Sequence, residues 1–403
     1  MQHGALAVAG GTGRTGHMAS PEGSVGAETL TVSLAPCPAP SRLRPQWLAL
    51  QAQAEPSFFT SWTWVSCWLQ HLGAGKRPQL LQVHQGQDLV GLGVVVQQAA
   101  RRLRCWPSQA VHLHATGERA LDDITVEHNG LLCRNGLVGE VQAAVAAQLW
   151  TLMPHVDQFH LPGVCTSPQD WRSVADQAYR VTERTEPAYR VDLVPVRQAG
   201  GPYLQTLGPQ TRGTVRRSLR LYEARGRLKL VAATTVQEGL AFLDRLKHFH
   251  QQTWEARGRL GAFANPLFER FHQGLVQRGL PQGEVELLRL TAGADEVGYL
   301  YNFVHGGQVL AYQSGFHFAL TDRNHHPGLV THALAAQRAL EQGLDGYDLL
   351  AGEARYKQQL ASHAYTMSSL TLHRPSLGWW LEQGWRALKR SSVWKRGLRE
   401  PVI

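Results

Sequence analysis

Cysteine is scarce in this sequence and never clustered. The 403 residues hold five, Cys37, Cys67, Cys105, Cys133 and Cys165, with no CxxC pair. That excludes a disulfide scaffold and a cysteine-type zinc site, and it fits a reducing compartment. No stretch approaches the roughly 18 to 20 uninterrupted apolar residues that a membrane-spanning helix needs. The first residues lack a basic start followed by an apolar block, so the sequence predicts no secretory signal and a cytoplasmic location. No GxSxG nucleophile turn occurs, and no cysteine has the local signature of a nucleophile. His112 and His114 are spaced to share one face of a strand, but no third ligand lies near them, and no metal is expected.

What is present suits a globular protein. Hydrophobic residues make up 43% and aromatics 8% of the chain, enough for sizeable cores. The length fits two domains. Lys and Arg number 40 against 31 acidic residues, a net charge of +9. Residues 1–40 are rich in Gly, Ala, Ser, Thr and Pro and read as a flexible extension. Residues 7–16, AVAGGTGRTG, imitate a dinucleotide-binding turn. Pro21, Gly23 and Gly26 break the helix that such a turn must open, so no nucleotide site is expected there.

Two passes of similar material follow. Phe58 to Leu72 has apolar residues at helical spacing, and strands at Leu80 to Val83 and Leu89 to Val96 flank a hairpin turn. Val138 to Leu152 reads as a helix. The second pass predicts a helix over Val236 to Arg257, then strands over Val285 to Leu290, Val297 to Val304 and Val309 to Phe316. A helix over Leu329 to Gln342, a strand over Tyr347 to Leu350 and a helix over Ala354 to Leu360 complete it. The hairpins LLQVHQGQDLVGL (80–92) and LLRLTAGADEVGY (287–299) match at six of thirteen positions, including Gly86/Gly293 and the Val-Gly pairs. A duplicated α/β unit explains both the match and the helix before each hairpin.

The strings LAYQSGF (310–316), Pro327-Gly328 and GLDGYDLLAGEARYK (343–357) carry a family resemblance. So do FFTSWTWVSCWL (58–69), LDDITVEHNGLL (121–132) and YRVDL (189–193). Together they resemble the GNAT acyltransferase superfamily, in particular its CelD/BcsL-type family linked to cellulose and exopolysaccharide biosynthesis. More distantly the chain resembles the Fem-type aminoacyl transferases that build peptidoglycan bridges. The resemblance implies an α/β (α+β) fold of two tandem GNAT-like domains with mixed, mostly antiparallel sheets, over 41–195 and 196–375. It further implies an acyltransferase using acetyl-CoA or another acyl-CoA as cosubstrate, acting on an amine of a sugar-derived or cell-envelope acceptor. A Fem-type enzyme using aminoacyl-tRNA and a catalytically inactive binding module remain open as alternatives.

Candidate residues follow from resemblance and physics together. A helix N-terminus is a ready anion site, and Pro327 with Gly328 suits its first turn, flanked by His326 and Leu329. Arg323 and His325 add donors. Tyr312, Gln313 and Ser314 lie on the strand that would pair with the pantetheine arm, with Tyr312 and Ser314 expected on one face. Core filling is the other reading of Tyr312. Asp348, Gly352, Glu353, Tyr356 and Lys357 form a second constellation. Within it Glu353 is expected as the base, Lys357 as the charge facing the oxyanion and Tyr356, one turn on, as the third catalytic residue, with Asp348 and Gly352 at the substrate. The alternative is a set of buried structural pairs. Asp122, Asp123, Glu127 and Asn129 match the family pattern and read either as lining of the cleft between domains or as a surface loop.

A basic block from Arg212 to Lys229, including Arg217, suits an anionic substrate or a solvated helix face. Residues 377–400, within the 376–403 tail, carry a Trp/Leu stripe edged with Lys and Arg. They read either as a peripheral contact with the inner face of a membrane or as a helix packed on its own domain. No DNA partner is expected.

Overall fold

The computed structural model describes residues 29–73, 75–102, 106–165, 171, 180–320, 324–374, 379–381 and 384–385. Among them thirteen strands form one sheet. The first seven are β1 (Leu30–Pro36), β2 (Pro78–Gln85), β3 (Asp88–Arg102), β4 (Trp106–Leu113), β5 (Leu132–Cys133), β6 (Gln158–Val164) and β7 (Arg180–Asp192). The rest are β8 (Leu228–Ala232), β9 (Val285–Ala292), β10 (Asp295–His305), β11 (Gln308–Phe316), β12 (Gly346–Ala351) and β13 (His363–His373).

Strand β1 is a correction to the expected extension. Leu30, Val32 and Leu34 alternate with polar residues, and this short period-2 pattern pairs antiparallel with β2. The arginine-containing helix Pro209–Glu223 and the helix Pro266–Gly279 complete the second half. Most of 377–400 lies outside the described residues, as do Arg323 and the glycine-rich string at 7–16. No described helix is long and apolar enough to cross a membrane.

The sheet order β1-β2-β3-β4-β6-β13-β7-β12-β11-β10-β9-β8 reads as one arrangement met from both ends. In each half four antiparallel strands lead to a parallel pair, β4 with β6 and β11 with β12. The closing strands are exchanged: β7 follows β6 in the chain but pairs with β12, whereas β13 follows β12 but pairs with β6. The two also pair with each other along their whole lengths, which joins the half-sheets edge to edge.

The hairpins repeat in detail. Gly86 and Gly293 open their turns at φ 59° and 62°, a region costly for other residues. In both, the ladder slips at the same place, leaving Val90 in one and Val297 in the other as the extra residue of a bulge.

One core spans the halves. Helix Trp62–His71 packs on helix Pro266–Gly279, with Trp64 edge-on to Phe271 at 4.9 Å. Phe58 stacks on Phe303 at 4.1 Å. Burying one such side chain contributes about 1.5–3 kcal/mol, and aromatic geometry adds about 0.5–1.5 kcal/mol per pair. The cluster therefore holds together the two units whose edges meet at β7 and β13.

Candidate active site

The site begins where two strands part. Strands β11 and β12 run parallel only from Gln308/Gly346 to Leu310/Asp348. Beyond that point β11 continues without β12, and a bulge makes Tyr312 the extra residue against β10. Such a residue leaves the regular ladder, and here it also resets the alternation. Tyr312 turns into the aromatic core, 4.8 Å from Phe303 and 5.0 Å from His272. Its hydroxyl donates to the Ile124 carbonyl in the first half. Gln313 and Ser314 instead line a cleft of about 530 Å³. The sequence reading paired Tyr312 with Ser314 on one face because strict alternation cannot foresee a bulge.

His326, Pro327, Gly328 and Leu329 form the opposite wall of that cleft, and Tyr356 lines it too. The helix Pro327–Glu341 has no side-chain cap, and its N-cap His326 sits in the left-handed region. Its first internal bond runs from the Val330 amide to the His326 carbonyl, at 3.1 Å. The amides of Gly328 and Leu329 are therefore those a helix N-terminus leaves for an anion. A Cβ on Gly328 would stand 3.2 Å from Phe316 Cε2, so glycine keeps this wall close and open. The exposed Arg257 and Arg355 line the same cleft. His325 turns away from it, edge-on to Tyr222 at 5.1 Å.

Behind the cleft lies a buried polar centre drawn from both halves. Asp348, only 3% exposed, accepts from the Tyr365 hydroxyl at 2.9 Å on each oxygen and from the Leu350 amide at 2.7 Å. His128 Nε2 is 3.4 Å from Asp348 and 3.0 Å from the Tyr365 hydroxyl. The Leu350 contact holds that residue at φ 60°, a conformation that costs about 1–3 kcal/mol. Lys357 Nζ clamps the same kink by donating to the Leu350 and Ala351 carbonyls at 3.3 and 2.5 Å. The Ala351 amide donates at 3.0 Å to Glu127.

Burial pushes the Glu127 carboxyl up, against the Ala351 amide and the charges of Lys357 and His128. Burial lowers Lys357, and Glu127, Asp348 and Glu186 oppose that shift. His128 would be lowered by burial, but hydrogen bonds to Asp348 and Cys165 hold it up at about 10. The centre is thus a set of compensating charges, with Tyr365 raised by burial and by Asp348.

The remaining candidates are placed as follows. Glu353 is exposed and makes no hydrogen bond or ion pair among the described residues; it lines neither this cleft nor the cavity below. Gly352, at φ 109°, follows the kink with its amide bonded to the Pro187 carbonyl. Tyr356 stacks on His332 at 5.0 Å. Asp123 accepts from Asn265 across the halves at 3.2 Å. Asn129 is buried, accepting from His114 Nδ1 at 2.9 Å and donating to the Leu113 carbonyl at 3.0 Å. His114 also accepts from the Val94 amide at 3.1 Å, so its imidazole is a structural link. His112 lies apart from it, stacked on His160 at 4.5 Å. Among the described residues no group of three His, Cys, Asp or Glu is placed to hold a metal ion. Arg217 is on the solvent side of its helix.

Sequence reasoning missed His128, Tyr365 and Glu186. Asp348 in an apolar strand did signal that a partner must exist.

A second cavity, about 360 Å³, opens beside the polar centre. Asp122, Glu127, Glu186, Arg184 and Ala351 line it, together with the stacked His112 and His160.

FemX superposes with a TM-score of 0.55 at 8% identity, covering 83% of this chain and 96% of that one. The C-terminal domain of a putative lysylphosphatidylglycerol synthetase from Agrobacterium fabrum gives 0.49 at 11% identity, covering 84% and 94%. A tandem GNAT protein of the clavulanic acid biosynthesis pathway gives 0.45 at 14%, covering 86% and 100%. No curated protein sequence matches the chain. Residues 209–358, which carry the parted strands and the cleft before them, match the acetyltransferase (GNAT) domain family, so the second half of the chain is similar to a GNAT acetyltransferase domain.

Proposed function

We propose that this protein transfers an acyl group from an acyl-CoA, in the first instance acetyl-CoA, to an amine of a sugar-derived or cell-envelope acceptor. The observation that carries the reading is the opening between β11 and β12, faced by the free amide end of helix Pro327–Glu341 across one cleft. The pantetheine arm lies along Gln313 to Gly315, taking the place of the strand that β12 ceases to be. The pyrophosphate meets the Gly328 and Leu329 amides. One helix end contributes only about 0.3–1 kcal/mol of charge interaction, so Arg257, Arg355 and the pantetheine contacts supply most of the affinity. The CelD/BcsL-type resemblance is what supports a polysaccharide-linked acceptor.

Titration calorimetry with acetyl-CoA tests the reading. The full chain should bind it, and Gly328→Glu, which adds bulk and negative charge at the phosphate, should abolish binding without lowering the melting temperature. Unchanged affinity in that variant overturns the placement.

One observation favours a second reading. Arg216, Arg217 and Arg220 form an exposed basic face on the helix whose Gln210 and Thr214 line the cleft. A polyanionic donor such as aminoacyl-tRNA would use it. Retention of tRNA with no acetyl-CoA binding selects that donor.

A further inference from the structure

Among the described residues no carboxylate lines the donor cleft, yet an ammonium acceptor must lose a proton before its nitrogen can attack. Deprotonating an amine of pKa near ~10 at pH 7 is uphill by about three decades. Asp348, at the last paired position of β12, is committed to the Tyr365 hydroxyl and the Leu350 amide, and a second carboxylate reaches the same strand end from the other half. Glu127 is hydrogen-bonded to the Ala351 amide at the end of β12. Tyr312, the bulge residue of β11, donates its hydroxyl to the Ile124 carbonyl, three residues before Glu127 in the same segment. Both strands that part to form the opening therefore border the segment that carries Glu127.

Glu127 also lines the second cavity, and so does Ala351. Arg355 and Tyr356 line the donor cleft, so the short segment Ala351 to Tyr356 forms part of the walls of both. Three carboxylates, Asp122, Glu127 and Glu186, line the second cavity against one guanidinium, Arg184. Asp122 is committed to the Thr116 and Gly117 amides at 2.8 and 2.7 Å. Glu127 accepts the Ala351 amide on one oxygen, and its other oxygen makes no hydrogen bond among the described residues.

We infer that the second cavity is the acceptor site, that it takes a primary ammonium group, and that Glu127 is the base that deprotonates it. The inference rests on the acyltransferase reading above. The ammonium proton passes to the Glu127 carboxylate and the nitrogen lone pair attacks the thioester carbonyl. The new C–N bond forms, the C–S bond breaks, and the sulfur leaves with the electron pair. The second nitrogen proton goes to the thiolate, giving an amide and free CoA thiol; Glu127 returns its proton to solvent. Burial makes the carboxyl a stronger base than a solvated one, while Lys357 and His128 limit that rise. Asp348, Tyr312, Tyr365 and Glu186 are the other titratable groups around it. Lys357 is a positioning residue here, because its ammonium is engaged by the two carbonyls of the kink.

Calorimetry and transfer assays on the full chain test this with two matched probes, D-glucosamine and D-glucose. In the presence of acetyl-CoA, wild type should bind glucosamine at least about tenfold more tightly than glucose and acetylate its nitrogen. Glu127→Gln keeps the Ala351 bond but cannot take a proton. It should bind acetyl-CoA as wild type does and lose about 100-fold or more in kcat/KM, with the acidic limb of the pH–rate profile gone. Glu127→Asp should restore part of the rate. Equal binding of the two sugars, no binding of glucosamine, or an unchanged pH profile in Glu127→Gln overturns the inference. Failure of acetyl-CoA itself to bind overturns the donor reading instead, so the two failures are distinct.

Discussion

The Ala351 amide donates to the Glu127 carboxylate at 3.0 Å, so a side chain of the first half completes the strand end of the second. The tandem arrangement thereby acquires a consequence beyond stability. Within residues 209–358 the strand order accounts for the cleft, but the buried acid beside the opening comes from a loop 80 residues or more before that region. The exchange of β7 and β13 keeps that loop in register, because Tyr365 on β13 bonds both Asp348 of β12 and His128 beside Glu127.

Replacing Lys357 with Met removes the clamp on the Leu350 and Ala351 carbonyls and one counter-charge of Glu127. We expect turnover per folded molecule to fall about 100-fold, the scale of a mispositioned reacting group. The acetyl-CoA dissociation constant should stay within about threefold, since Lys357 does not line that cleft. Stopped-time assays well below the melting temperature, read beside calorimetry, decide it. Intact turnover in the variant would leave Lys357 a purely structural residue, and Lys357→Arg should then show no partial rescue to measure.

His128 predicts a pH dependence of stability. Its folded-state pKa is raised from 6.5 to about 10. A raised basic group stabilises the fold most below its unfolded value, and that stabilisation is lost as pH climbs through the folded one. The melting temperature of wild type should therefore decline between about pH 6.5 and 10. His128→Gln removes the charge facing Asp348, Tyr365 and Cys165; breaking a buried pair in this way costs about 3–5 kcal/mol near neutral pH. Its pH profile over the same window should be flatter. A variant that melts in parallel with wild type across the window would show that the imidazolium contributes nothing.

Much of this site was legible because its signals are local. Pro327-Gly328 announces a helix start, and Gln313, Ser314, Leu329 and Tyr356 line one cleft. The duplication was readable because hairpins fix their own register, down to the shared bulge at Val90 and Val297. Three things resisted. A bulge at Tyr312 breaks period-2 reasoning without any Gly or Pro to mark it. Strands β7 and β13 are exchanged across the halves, so the partners of Asp348 could not be found by proximity in sequence. Glu353, placed by spacing one turn from Lys357, points to solvent because Gly352 at φ 109° turns the chain between strand and helix.

Equivalent glycines in the two hairpins should separate stability from donor binding. Gly91 and Gly298 each follow the bulge residue of their half. A Cβ on Gly91 would stand 2.7 Å from Val141 Cγ1, in a hydrophobic cluster of the first half whose residues do not line the cleft. One on Gly298 would stand 2.4 Å from Phe316 Cδ1 and 3.0 Å from the Gly315 carbonyl. Overpacking of this kind costs about 1–3 kcal/mol, so both alanine variants should melt earlier. Their effects on acetyl-CoA should differ. Phe316 and Gly315 line the donor cleft, and Phe316 also touches the wall at Gly328. Gly298→Ala must push that ring or that carbonyl, so its acetyl-CoA affinity should drop by about tenfold, whereas Gly91→Ala should bind as wild type does. Calorimetry at a temperature where both variants are fully folded gives the comparison. Equal affinities in the two variants would mean that the donor does not lie against Phe316, and the cleft would have to be reassigned.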